Sequence, residues 1–320
     1  MSGVQKINVT VTAVVPLNEL VTRFEFKRTD EGLLPTFSGG AHILVEMRDG
    51  ETPRINPYSL MSDPMDQNTY AISVRRDDEG RGGSLYMHNK LHVGDEMIIS
   101  NPVNLFSLDL RAKKQLFIAG GIGITPFMAQ IKQMERLGGH WELHYTCRSK
   151  ALGSYVDDLT SQHPNEVYVY YDDHEQRINL AALLDGQPIG THIYVCGPKG
   201  MIDWVRSSAA TLGWPRESIH YEEFLSPQPG KPFEVKLAVS NIIIHVGGQE
   251  SLLEALERNG IDAPYLCRGG ACGQCETSVI DFVGNFIHND HWLDDVEHAS
   301  GEKIMLCVSR FEGKTLVLDR

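Results

Sequence analysis

Apolar and polar residues alternate over short runs through the first hundred positions: Ile7–Val15, Val21–Phe26, His42–Met47, Tyr70–Arg75 and Glu96–Ser100. A period of two turns one face of each run inward, the mark of a half-buried strand. Turn residues separate the runs, among them Ser38-Gly39-Gly40, Asp49-Gly50 and Val93-Gly94-Asp95. Many short strands broken at regular intervals predict a closed or nearly closed antiparallel β-barrel.

From about Ala112 the pattern changes. An apolar strand, Gln115–Ala119, runs into Gly120-Gly121-Ile122-Gly123-Ile124-Thr125-Pro126, and an amphipathic helix, Phe127–Leu137, follows. Pro126 suits a first helical position. Strands at Trp141–Thr146, Val167–Tyr171, His192–Cys196 and His220–Phe224 then alternate with helical runs at Tyr155–Ser161, Leu180–Leu184 and Gly200–Leu212. Such alternation predicts a parallel sheet with helices on its faces.

Leu225–Pro232 is Pro-rich, has no periodicity and reads as a linker. Beyond it come a hairpin pattern (Phe233–Val239 and Ile242–Val246, turning at Ser240-Asn241) and a helix at Ser251–Asn259 stopped by Gly260. Ile304–Val308 and Thr315–Leu318 read as closing strands. We expect three domains, at residues 1–108, 109–228 and 229–320, and 320 residues suffice for three cores.

Composition narrows the setting. Hydrophobic residues at 42% and charged residues at 22% describe an ordinary globular chain, and no apolar run reaches the roughly 18 residues of a membrane span. The start of the chain lacks a basic-then-apolar signal, so a cytoplasmic protein is expected. A net charge of −13 argues against nucleic acid or an anionic membrane as the main partner, and it permits a protein partner with a basic patch.

The strongest chemical signal lies late in the chain. Cys267, Cys272 and Cys275, with Cys307 further on, form the C-x4-C-x2-C…C spacing of a plant-type [2Fe–2S] cluster. Gly269, Gly270 and Gly273 allow the sharp loop and bring backbone N–H groups near the sulfurs. A structural zinc site competes, but it usually shows two paired knuckles, and here the fourth cysteine stands alone. A disulfide pair is disfavoured in a chain without a secretion signal.

Gly120, Gly121 and Gly123 carry the second signal: glycines between a strand and a helix let N–H groups approach a pyrophosphate. The G-x-G-x-x-G fingerprint is absent, and a simple tight turn is the alternative. Cys196-Gly197-Pro198 repeats the arrangement at a later strand end, and two such turns define a dinucleotide crevice. The third signal is Tyr58-Ser59-Leu60 together with Ser73-Val74-Arg75 and Arg81-Gly82-Gly83-Ser84. An aromatic beside a hydroxyl can stack on and bond a planar ring, and a guanidinium with free N–H groups suits a phosphate. A surface turn with a solvated arginine is the bland reading of the last stretch.

Together these residues resemble the phthalate dioxygenase reductase family, in the same domain order over essentially the whole chain. The resemblance implies a flavin-binding barrel carrying FMN, an NADH-binding α/β domain and a β-grasp plant-type ferredoxin domain. It implies that Tyr58 and Ser59 touch the isoalloxazine, that Ser73, Val74 and Arg75 run along it, and that Arg81, Gly82, Gly83 and Ser84 hold the phosphate. Hydride transfer would occur beside Ser59, Thr125 and Phe224, with no acid–base residue required. Single electrons would then pass through the cluster to a Rieske-type terminal oxygenase.

One departure bears on the phosphate. The family commonly has Arg two residues before the Tyr, where this chain has Asn56. The Asn-x-Tyr-Ser-Leu form resembles the carnitine monooxygenase branch. Arg54, Arg75 and Arg81 remain as substitutes, with Arg81 the expected one. For the nucleotide, Asp172 or Asp173 can bond a ribose hydroxyl and disfavour a 2′-phosphate, with Asp172 the expected contact, whereas Arg148 would favour NADPH. His288, Asp290 and His291 lack ligand spacing, and Cys147 reads as a buried apolar residue. Two other functions remain in view: an NADH diaphorase for another acceptor, such as a haem protein, and a zinc-stabilised interaction protein without redox activity.

Overall fold

The structure is a computed structural model describing residues 5–48 and 53–320. The expected turn at Asp49-Gly50 lies outside the described residues. The first sheet contains β1 (Lys6–Pro16), β2 (Val21–Arg28), β3 (Ala41–Met47), β4 (Arg54–Ser59) and β5 (Tyr70–Arg75). After helix α1 (Gly83–Lys90) it adds β6 (Glu96–Ser100) and the short β7 (Val103–Asn104). Its order is β4-β3-β6-β1-β2-β5, with β7 on β3, and all its ladders are antiparallel. The two end strands, β4 and β5, approach each other without a ladder, so the barrel is nearly closed. Phe24, Phe26, Ile43, Val45, Tyr70 and Ile72 fill its interior, as the alternation predicts.

The second sheet is wholly parallel, in the order β10-β9-β8-β11-β12. It is built from β8 (Lys114–Gly120), α2 (Thr125–Leu137), β9 (His140–Cys147), α3 (Val156–Gln162) and β10 (Val167–Tyr171). Helix α4 (Leu180–Asp185), β11 (Thr191–Cys196), α5 (Lys199–Thr211) and β12 (Ile219–Glu222) complete it. One core lies on each face, around Phe117, Phe127 and Tyr194 and around Ile118, Ile193 and Val205. The chain leaves β8 in one direction for β9 and returns on the other side as β11, so a crevice opens at the C-terminal ends of β8 and β11.

Residues 225–232 carry no regular structure. The third sheet, in the order β14-β13-β17-β15-β16, is mixed, with β13 and β17 parallel. It comprises β13 (Phe233–Leu237), β14 (Ile242–Val246), α6 (Leu252–Arg258), β15 (Glu276–Ile287), α7 (Asp295–Ser300), β16 (Lys303–Met305) and β17 (Arg310–Leu318). The hairpin turns at Asn241 with φ 52°. Leu252, Leu253, Ala255 and Leu256 of α6 pack on the sheet's apolar face. Asp294 heads α7 in a capping box with Glu297.

Candidate electron-transfer site

A cleft of about 1270 Å³ runs between the three sheets. Its walls combine Tyr58, Ser59, Ser73 and Arg75 of the barrel with Gly120, Gly121, Thr125 and Pro198 of the parallel sheet and Cys267, Gly269 and Ala271 of the cysteine loop.

On the barrel side, β4 places Tyr58 and Ser59 beside β3, with His42 opposite Ser59. Burial pushes the Tyr58 phenol up to about 12, so its hydroxyl stays protonated, and Asn56 Nδ2 donates to it at 3.4 Å. His42 is buried, its Nε2 has no partner, and burial lowers its pKa to about 4. Ser73 and Arg75 line the cleft, whereas the Val74 side chain points into the barrel core. Val74 therefore offers the cleft only its backbone.

The glycines after Arg81 form a cradle. Gly82, at φ 88°, heads α1, whose first turn has neither an acidic residue nor a side-chain cap. Those first N–H groups and the helix dipole suit an anion. A Cβ at Gly82 would lie 2.5 Å from Arg54 Nη1, and one at Gly83 would lie 2.5 Å from Asn56 Nδ2. Arg54 and Asn56 thus close over the turn. Ser84 Oγ accepts from Asp77 N–H at 3.0 Å, holding the turn's shape. Arg81 lines the cleft, but its guanidinium is committed elsewhere. It is buried, and Nη1 and Nη2 donate to Glu254 Oε2 and Oε1 at 2.5 and 3.1 Å. The expected phosphate arginine is therefore held by a carboxylate of the third sheet's helix, and Arg54 is the arginine that faces the cradle.

On the nucleotide side, Gly123 is enforced by space: a Cβ there would stand 2.2 Å from the Cys196 carbonyl oxygen. A Cβ at Gly120 would meet Met201 Sδ and Pro198 Cδ at 2.7 and 2.8 Å. The two strand ends meet backbone to backbone, an arrangement whose free N–H groups suit a pyrophosphate. Thr125 is buried at the start of α2 and donates to the Ile122 carbonyl at 3.0 Å. Gly197 and Phe224 also line the cleft, Phe224 half-exposed. Cys196 is fully buried, and burial raises its thiol well above its usual range. Asp172 lines the cleft with Arg148 and is ion-paired to Arg177. Asp173 turns its backbone N–H to the Arg148 carbonyl at 3.1 Å.

The cysteine loop suits an anionic cluster. Cys267 and Cys272 interact directly, as do Cys275 and Cys307. Backbone N–H groups of Gly269 and Ala271 face the Cys267 sulfur, that of Gln274 faces Cys272, and that of Gly270 faces Cys307. Positive φ at Arg268, Gly270 and Gly273 turns those groups inward. A Cβ on Gly269 would lie 3.7 Å from Pro57 Cγ, so the loop sits against the strand that carries Tyr58.

Some site residues escaped the sequence reading. Glu222, in the cleft at the end of β12, has a buried, unpartnered Oε2, and burial followed by the Cys267 charge raises its pKa to about 8. Its place at a parallel strand's C-terminal end was the available signal. Trp292 covers the cysteine loop, since a Cβ on Gly273 would meet its indole at 2.3 Å. His288, Asp290 and His298 lie within 4.8 Å of one another behind that loop. His298 is eight positions from Asp290, so spacing did not reveal the group.

An anion cradle beside Tyr58 and Ser59, a strand-end crevice and a cysteine loop lining one cleft are the parts of a modular electron-transfer reductase. Comparison with known proteins agrees. Residues 235–312 match the 2Fe-2S iron–sulfur cluster binding domain, and residues 96–219 match the N-terminal domain of dimethylamine monooxygenase subunit DmmA-like proteins. The carnitine monooxygenase reductase subunit of Acinetobacter baumannii is 45% identical, over 97% of this chain and 96% of its own. The haem-dependent oxidative N-demethylase β subunit of Ectopseudomonas mendocina is 41% identical over 98% of both chains. The solved structure of phthalate dioxygenase reductase superposes with a TM-score of 0.89 at 31% identity, covering 99% of this chain and 98% of that one. The chain belongs to this family of oxygenase reductase subunits and is an oxidoreductase.

Proposed function

We propose that the protein takes hydride from NADH onto FMN and passes single electrons through a [2Fe–2S] cluster to a separate oxygenase. The observation that carries this reading is the single cleft lined by all three parts, with the cysteine loop against the strand bearing Tyr58. A bound flavin supplies the conversion between two-electron and one-electron chemistry. The protein supplies binding and orientation. Tyr58 and Ser59 bind the ring, while Arg54, Asn56 and the N–H groups of Gly82, Gly83 and Ser84 hold the phosphate. Gly120, Gly121, Gly123, Gly197 and Pro198 seat the pyrophosphate, and Asp172 holds the ribose. Thr125 and Phe224 bound the space where ring and nicotinamide meet. Cys267, Cys272, Cys275 and Cys307 ligate the cluster. FMN rather than FAD is supported by the phosphate turn being closed off against residues 249–254 through Arg81.

The three separate sheets support a division into domains at 1–108, 109–228 and 229–320. A Rieske-type oxygenase acting on a quaternary amine such as carnitine is the partner that the carnitine monooxygenase relative supports. A second reading, a haem oxygenase as partner, is favoured by the N-demethylase relative. No helix among the described residues is long and apolar enough to cross a membrane, consistent with a cytoplasmic setting.

The test is an anaerobic absorption spectrum before and after one equivalent of NADH. Flavin and iron–sulfur bands that bleach together support the reading, and a colourless protein would reject it. Reduction of purified Rieske and haem oxygenases by the reduced protein then separates the two partners.

A further inference from the structure

Arg81 and Glu254 are both buried charges, and they come from segments packed on different sheets. Arg81 stands between Gly80 and Gly82 in the turn that heads α1, whereas Glu254 is the third residue of α6. The pairing is two-pronged, and Arg81 Nη1 also donates to the Gln249 carbonyl at 3.2 Å. Glu254 has a second duty. Its Oε2 accepts from Ser251 N–H at 2.7 Å, while its own N–H donates to Ser251 Oγ at 3.1 Å. It therefore closes the capping box of α6 and grips the barrel at once.

Helix α6 is in turn joined to the cysteine side. Leu253 N–H donates to the Leu306 carbonyl at 2.9 Å, next to the cluster cysteine Cys307. A continuous run of bonds thus leads from the phosphate turn, through Arg81 and Glu254, to the segment that holds Cys307. A planar guanidinium on a carboxylate fixes angle as well as distance, which a single flexible contact does not.

We propose that the Arg81–Glu254 pair is a positioning latch that locks the iron–sulfur part against the phosphate turn, setting the spacing between flavin and cluster. It rests on the flavin and cluster reading given above. The latch makes the phosphate turn a shared element, so a flavin phosphate that orders Gly82–Ser84 also orders the docking of the third part. Removing one partner would leave the other charge buried and unpaired, a strongly destabilising change.

Glu254→Gln is the informative variant, because glutamine keeps the capping box through its amide oxygen while removing the charge and one of the two acceptors that Arg81 uses. Two measurements are made on the purified, cofactor-loaded protein. In anaerobic single turnover with NADH, flavin bleaching should stay within about twofold of wild type while cluster bleaching slows about tenfold or more, as expected for breaking a buried pair. In hydrogen exchange without NADH, amides of residues 82–86 should exchange about tenfold faster while α6 stays protected, since its cap is intact. Arg81→Lys, which keeps charge but loses the fork, should shift both measurements in the same direction by less.

Wild-type cluster bleaching and wild-type exchange at 82–86 in Glu254→Gln would overturn the latch. So would loss of flavin from Arg81→Lys with Glu254→Gln unchanged, because Arg81 would then belong to the phosphate. A wild-type protein without flavin or cluster bands would instead reject the functional reading, and the exchange measurement would still decide whether the latch exists.

Discussion

The hydroxyls of Ser73 and Tyr155 lie 2.6 Å apart, joining β5 of the barrel to the start of α3 beside the parallel sheet. Tyr155 holds φ 65°, a conformation unusual for a bulky residue, and it heads α3 without a side-chain cap of its own. Ser73 was expected along the flavin, and its side chain also serves this joint. The pair should contribute about 0.5–1.5 kcal/mol, a typical net hydrogen bond. A double-mutant cycle of Ser73→Ala and Tyr155→Phe in urea unfolding measures it, and a coupling near zero would show the contact to be incidental.

Arg54 rather than Arg81 should dominate flavin retention. Arg54→Ala removes the guanidinium over the Gly82–Gly83 cradle and should cost about 1.5–3 kcal/mol of flavin binding, the range of a bond to a charged group. Fluorescence titration of stripped protein with FMN checks this. An unchanged dissociation constant would assign the phosphate to another cation.

Much of this arrangement was legible in the sequence, and the exceptions have physical causes. The strands Tyr70–Arg75, Glu96–Ser100 and Val167–Tyr171 and the hairpin strand Ile242–Val246 match their expected limits, because one buried face imposes strict alternation or a short apolar run. The alternation does not delimit strand β4, because Pro57 interrupts it. The sheet tolerates Pro57 because β4 is the last strand on its path, paired only to β3. Strand β15 was missed because register shifts near Val279 and Val283 break its alternation and leave Ile280 and Val283 exposed. Arg81 shows the limit for the site. Its chemistry suits a phosphate, but the competing carboxylate lies 173 positions away, and no local pattern announces it.

The nucleotide preference should turn on Asp172. It lines the cleft, and its carboxylate would repel a 2′-phosphate, while Arg148 and Arg177 stand beside it. Asp172→Ser should raise the kcat/KM ratio of NADPH to NADH about tenfold, through loss of repulsion and release of Arg177. Steady-state rates with ferricyanide measure the ratio. An unchanged ratio would place the ribose elsewhere.

His42 should make the protein sensitive to mild acid. Its pKa is lowered by burial to about 4, from an ordinary 6.5. The unfolded chain therefore binds a proton at this site between about pH 6.5 and 4 while the folded chain does not, so stability falls as pH drops through that window. Above pH 6.5 the effect vanishes, because neither state is protonated. His42→Gln, which cannot titrate, should flatten this slope by up to about 3 kcal/mol over the window. Thermal unfolding at pH 7 and pH 4.5 compares the two proteins, and an equal loss of Tm in both would clear His42.

Electron delivery to the partner should depend on Trp292 and on salt. The indole is about half-exposed, lies over Gly273 between Cys272 and Cys275 and donates to Glu276 Oε2 at 2.8 Å. An aromatic held beside Cys272, the most exposed of the four loop and strand-end cysteines, has the makings of a docking anchor. Around it the chain is acidic, with 14 Asp and Glu against 7 Lys and Arg from residue 232 to the end. Long-range attraction to a basic partner would speed association and fade as salt shortens the screening length. Trp292→Ala should leave NADH-driven bleaching of the cluster unchanged and slow reduction of the purified oxygenase about tenfold, as for a central aromatic contact. Raising ionic strength should slow the wild-type reaction as well. A rate indifferent to both changes would move docking to another face of the third sheet.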